Sequence, residues 1–280
     1  MAHVHGDHWE AIEGDAEKTV THILPYAIEH GKVAGKSEFD CTGDDGVVRR
    51  EKAFGLVHGE MPLRYFALIC SNSGAAEPCN SVYSFYPFCA SGITHRLTIE
   101  KLHPWENGVE GVVQASTESG ALIWFFDPYF FKDKDTYQVG QSYNICLGAL
   151  AMALQPPTQH EIVVTSGPII EIERKRALEE DPAADVSKIT SVTFGLDNCS
   201  FCMPSEMNPD EASYRGMADE VGYFELEKSG IYRIKTAIMR PEDSPVEIYL
   251  YASESVLKDY CPKAGDNLEG NIWLQGYIQD

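Results

Sequence analysis

Six side chains in two short stretches have the types and spacing to hold a metal ion. HVHGDH places His3, His5, Asp7 and His8 together; imidazole and carboxylate ligands suit zinc or manganese, with the Asp bridging two ions or holding a nucleophilic water. Cys199 and Cys202 form a single CxxC in NCSFCMP. A tetrahedral zinc needs two further ligands, and with no second CxxC or HxxxH only folding could recruit Cys261, His160 or Cys41. Met203 and Pro204, directly after the pair, oppose the strand-to-helix junction that a redox dithiol requires.

The letters HxHxDH resemble the metal-binding loop of metallo-β-lactamase-like hydrolases. That resemblance implies a metal-dependent hydrolase, a strand leading into the loop, and more His and Asp ligands downstream. Only two residues precede His3, and His58, His95, His103 and His160 stand in no matching motif, so a polar terminus without a resident ion is expected. GKS at Gly35 ends like a phosphate loop, but His30 occupies the place of its first Gly and a helix precedes it. Asp133 and Asp135 open like a calcium loop, yet Gln138 and Asn144 stand where Gly and Glu are required. There is no GxSxG, and no spacing of Ser, His and Asp implies a triad. No catalytic set is assembled, and no cofactor is expected beyond the zinc that the Cys pair or the His-rich stretch could take.

Bulk charge points to partners. The formal net charge is −21, and residues 1–93, 94–152, 153–212 and 213–280 each carry more acid than base. Affinity for nucleic acid rests on Lys and Arg displacing counterions, so an evenly acidic chain opposes it and favours a basic protein partner. The start of the chain has no basic, apolar leader and the longest apolar runs are far below a membrane span, which predicts a cytoplasmic protein with no membrane contact. Eight dilute Cys then read as reduced, buried thiols.

The elements that would position these groups are mostly strands. A helix is predicted over residues 15–30, from Val20, Ile23, Leu24, Ala27 and Ile28 on one face, with Gly31 as its stop and Pro25 as a kink or break. Short apolar runs at 63–70 and 82–89 read as strands. A second helix is predicted over 173–180, and 197–210 reads as a loop.

Residues 94–155 and 213–280 form a weak internal repeat: three strand-like runs, a short connection, and a last strand. In the second unit Ile248, Leu250 and Ala252 alternate with Glu247, Tyr249 and Tyr251. This order resembles the five-stranded OB barrel, although no fifth strand is identifiable in either unit. The expected fold is therefore mainly β, or α+β, with a few short helices. It comprises an N-terminal α/β segment over 1–93, two OB-like barrels at 94–155 and 213–280, and a linker over 156–212.

On OB surfaces aromatic side chains stack bases, which makes Trp124, Tyr129, Tyr249, Tyr251, Trp273 and Tyr277 the candidate binding residues. Without basic framing they suit protein contact better. The expected function is a non-catalytic, acidic interaction protein, acting as an inhibitor or nucleic-acid mimic. An OB-type binder of single-stranded nucleic acid and the HxHxDH hydrolase are the alternatives.

Overall fold

The computed structural model describes residues 8–9, 11–12, 16–42, 46–72, 79–197, 199–241 and 244–279. Its first helix, α1 (Ala16–His30), buries Ile23 and Ala27 against a sheet while Ile28 turns outward. Of the kink or break expected at Pro25 the break does not occur, and one helix runs through it: apolar anchors on both sides of the missing N–H hold the flanking turns in register. Gly31 closes it by donating to the Ala27 carbonyl at 2.9 Å.

Four antiparallel strands follow as one meander: β1 (Lys32–Thr42), β2 (Val48–His58), β3 (Leu63–Asn72) and β4 (Cys79–Cys89). Along β2, Ala53, Gly55 and Val57 are buried while Phe54, Leu56 and His58 lie between buried and exposed. This period of two gives the sheet a sealed face and a face shared by helix and solvent.

Nine of the remaining eleven strands form a second sheet, and the other two a separate ribbon. In chain order these are β5 (Ile93–Pro104), β6 (Gly111–Ser116), β7 (Leu122–Phe126), the turn of helix α2 (Phe130–Asp133) and β8 (Ser142–Gln155). A projecting segment carries β9 (Glu161–Val164), α3 (Pro168–Glu180) and β10 (Val192–Gly195). Then come β11 (Phe201–Pro204), β12 (Glu211–Leu226), β13 (Ser229–Met239), β14 (Val246–Ser253), the turn of helix α4 (Glu254–Leu257) and β15 (Asn267–Ile278).

The internal repeat is visible as β5-β6-β7-α2-β8 and β12-β13-β14-α4-β15. Pairings of β5 with β8 and of β12 with β15 fold the sheet into two rings, β5-β6-β7-β15-β8 and β12-β13-β14-β8-β15. The fifth strand of each ring is thus the last strand of the other unit. It pairs in parallel with the third strand, β7 with β15 at Phe126 and Gln275, and β14 with β8 from Tyr249/Gly148 to Tyr251/Leu150. The two units are therefore not separable barrels, because each is open without a strand that lies more than a hundred residues away. The linker is also more ordered than expected: α3 starts at Pro168, a favoured first helical position, and β11 lies within the stretch read as a loop.

One apolar core runs through both rings, with Ile145, Leu147 and Ala149 of β8 and Ile272 and Leu274 of β15 among its residues. The alternate residues of the same strands face outward, and the β1–β4 sheet packs over them to make a second core with Leu150, Tyr251 and Trp273. The β1–β4 sheet thus pairs with no strand of the rings and lies over them as a cover.

At the seam, Gly270 lets β15 approach β8 so closely that a Cβ there would lie 1.8 Å from the Ala153 carbonyl oxygen. Gly270→Ala should therefore force the shared ladder apart and lower stability by about 1–3 kcal/mol, read as a fall in the urea midpoint. An unchanged midpoint would mean that the seam tolerates a shift.

Candidate functional site

The outward faces of β14 and β15 do not form the open aromatic surface expected from sequence. Tyr251 and Trp273 are fully buried, and the reason is the β1–β4 cover. The chain just after β4 is pinned across those strands: Tyr251 donates to the Ser91 carbonyl at 2.8 Å and Tyr277 to the Ala90 carbonyl at 3.1 Å. Gln275 accepts from the Cys89 N–H at 2.8 Å and donates to the Pro87 carbonyl at 2.9 Å. Tyr129 and Tyr277, both half-buried, meet edge to face at 5.5 Å, and Phe88 packs against each. Tyr249 lies under the Arg233 guanidinium at 4.9 Å, and Trp124 sits apart beside His103 at 4.8 Å. Five of the six candidate rings thus belong to, or pack against, the internal joint.

Two buried acid clusters lie at the same joint. In one, Trp273 Nε1 donates to Asp210 Oδ2 at 2.7 Å, while the His8 ring stacks on the Trp273 ring at 3.8 Å and meets Glu211 through Nε2 at 3.2 Å. Burial raises the pKa of Asp210; the hydrogen bond with His8 lowers that of Glu211. In the other, Asp127 accepts from Tyr137 OH at 2.7 Å and from the Tyr129 N–H at 2.8 Å. Complete burial, aided by the nearby Asp133 charge, lifts its pKa to about 8. Glu110, also buried, accepts from Ser84 Oγ and Asn107 Nδ2, both at 2.7 Å. The Ser84–Glu110 bond and the packing of Trp273 on His8 and Tyr86 tie the cover to the rings, while the Asp127 bonds hold the first unit's own connection.

Of the candidate metal ligands, His3, His5 and Asp7 lie outside the described residues, and His8 is engaged as above. Cys199 Sγ donates to the Gly195 carbonyl at 3.7 Å, and burial pushes the Cys202 thiol up to about 12, which favours the protonated form over the thiolate that zinc binds. Among the described residues no three His, Cys, Asp or Glu converge on a common point. Burial likewise raises the Cys89 and Cys146 thiols, whereas Cys261 is exposed. A thiol reagent at pH 7 should accordingly modify Cys261 first and reach the buried Cys89 and Cys146 only on unfolding, as read by mass spectrometry of timed aliquots. Early labelling of Cys89 would contradict its burial.

The exposed apolar side chains gather elsewhere. Eighteen large hydrophobics are exposed among the described residues, and nine fall between 162 and 207: Ile162, Val163, Ile169, Ile172, Leu178 and Phe194 on the projecting segment, then Phe201, Met203 and Met207. Of the segment's two strands and helix only Ile170 is buried. Ile162 and Phe194 sit opposite each other across β9 and β10 and both face solvent, as does Val163 on the reverse side. Sequence reasoning placed only the zinc candidates Cys199 and Cys202 here, and no residue for protein contact. The available signal was the apolar run after Pro156 and Pro157, followed by isoleucines that α3 presents without a single buried stripe.

Compared with known proteins, the chain matches no family model, no curated protein and no solved structure. Its site is therefore read from geometry. No helix of the described residues is long and apolar enough to cross a membrane.

Proposed function

We propose that this protein acts by binding another protein, and that residues 156–205, rather than the aromatic faces of the rings, make the contact. The observation that carries the reading is the concentration of exposed apolar side chains on a projecting segment with almost no core of its own. A solvated surface rarely leaves such residues gathered unless something covers them. The acidic balance of the chain supports a basic partner. The buried thiols of Cys89 and Cys146 suit a reducing, cytoplasmic setting.

A photo-crosslinking residue placed at Phe194 or Ile172 of the full chain tests this in the native cell. Adducts with another protein are expected at both positions and not at the exposed Leu122 on the first ring. Adducts confined to Leu122, or none at all, would overturn the reading.

The runner-up is an OB-type binder of single-stranded nucleic acid. What favours it is strand order: we read each ring as an OB-like barrel, with a helical turn between its third and fourth strands and a fifth strand lent by the other unit. Against it, two rings on the outward strands, Tyr251 and Trp273, are sealed under the cover. A gel shift with an oligonucleotide at about 50 mM salt, where electrostatic binding is strong, separates the two readings.

A further inference from the structure

The β9–β10 ribbon has an open edge whose hydrogen-bonding pattern can be worked out. Its register pairs Val164 with Val192, Val163 with Thr193, Ile162 with Phe194 and Glu161 with Gly195. One step beyond, the Leu196 N–H donates to the His160 carbonyl at 2.8 Å. Bonded pairs alternate in an antiparallel ladder, so 162/194 and 164/192 exchange the bonds within the ribbon, and Glu161 and Val163 turn their N–H and C=O groups away from β10; there Gln159 Nε2 donates to the Glu161 carbonyl at 2.9 Å, which leaves the Glu161 N–H and both Val163 groups to a further strand. Helix α3 lies against β10, and β10 is the strand paired with β9.

Exposed edges are ordinarily blunted by Lys, Pro or a bulge. The β9 residues, Glu161 to Val164, include neither Lys nor Pro, and the register runs without a break. A two-stranded ribbon alone is marginal in water, so a third strand would stabilise it.

Charge indicates what that strand carries. Residues 156–205 contain eight acids and four bases. All four bases are engaged within the segment: Arg174 donates to the Ile189 carbonyl, Lys175 pairs with Glu179, Arg176 with Glu173 and Glu180, and Lys188 with Asp185. Asp197 meets His160 Nδ1 at 2.8 Å, and Glu161, Glu171 and Asp181 are left as the acids that a cation from outside the segment would neutralise.

Building on the reading of residues 156–205 as the contact surface, we propose that β9 accepts an extended segment of a basic protein as a third strand. The segment alternates aliphatic side chains with Lys or Arg. Main-chain bonds to Glu161 and Val163 supply the pairing, Ile162 and Val163 supply an apolar contact on either face, and the acids select the cations.

The test selects a displayed library of random twelve-residue peptides on the full chain at low salt, then measures the affinity of the recovered peptides for three proteins. Val163→Pro removes the outward N–H but leaves the ribbon's own bonds, because Pro is tolerated at such an edge position. Thr193→Pro makes the corresponding change on the β10 edge and controls for general damage by proline. Recovered peptides should alternate aliphatic and basic residues, lose at least about tenfold affinity to Val163→Pro, and bind Thr193→Pro nearly as wild type. The proposal is overturned if peptides bind wild type and Val163→Pro alike, if both proline variants lose binding equally, if acidic or helical sequences are selected, or if nothing is recovered. Crosslinks at Phe194 persisting alongside any of those outcomes would keep the contact surface and reject strand addition alone.

Discussion

Trp273→Ala should lower stability by about 3–5 kcal/mol, a large share of the roughly 5–15 kcal/mol that holds a typical domain folded. Trp273 is fully buried on the outward face of β15, where the two rings meet their cover. Its indole touches Phe126 at 5.3 Å, Tyr86 edge-on at 5.8 Å and His8 face to face at 3.8 Å. Truncation opens a cavity among rings that cannot all collapse into it, and it takes the indole donor from the buried Asp210 carboxyl. Trp273→Phe separates the two effects, since it keeps most of the apolar contact and should cost only about 1–3 kcal/mol, the range for an unmet buried acceptor. Urea unfolding followed by far-UV circular dichroism measures both. If the Ala variant unfolds within about 1 kcal/mol of wild type, a change typical of tolerant sites, Trp273 is not the keystone of this joint.

The pH dependence of stability should be governed by Asp127. Folded, this carboxyl keeps its proton up to about pH 8, chiefly because burial disfavours the anion and secondly because Asp133 repels it; its ordinary value is 3.8. Between those values the folded chain holds a proton that the unfolded chain has released. The stabilisation is therefore full below about pH 4 and is lost as pH rises toward 8, at up to about 1.4 kcal/mol per pH unit for one group. Asp210, raised by burial, acts in the same direction. Glu211 acts oppositely: its lowered pKa gives stability that is present above its ordinary 4.5 and lost as pH falls. Asp127→Asn keeps the neutral form at every pH, with a side chain that can still accept from the Tyr129 N–H. It should match wild type near pH 4 and exceed it at pH 8 by on the order of 3–5 kcal/mol. A urea series from pH 4 to pH 8 decides this. Parallel curves for variant and wild type would show that Asp127 titrates normally.

Trp273 belongs to the docking of one layer on another, which bears on what could be read from the chain alone. Strand content, the repeat of three strands, a short connection and a last strand, and the in-out alternation of Ile248, Leu250 and Ala252 with Tyr249 and Tyr251 are local patterns. They persist in β12–β15 because a half-buried strand imposes a period of two wherever it lies. The α1 stripe was legible on the same grounds, apart from Ile28, which stays exposed.

What covers an outward face is not a local property. Tyr251 and Trp273 carry the alternation of surface residues, yet they are buried because a sheet built from residues 32–89 lies over them. The missing fifth strand was invisible for the same reason: β8 and β15 each serve two rings, and nothing in a strand's own sequence records a second partner. The exposure of Ile162, Ile172 and Phe194 also depends on distance from the body of the protein rather than on residue type. Composition and periodicity thus determined the class of fold, the acidity and the strands. Tertiary structure alone decided which apolar faces are closed and which remain open, because burial depends on contacts between segments far apart in the chain.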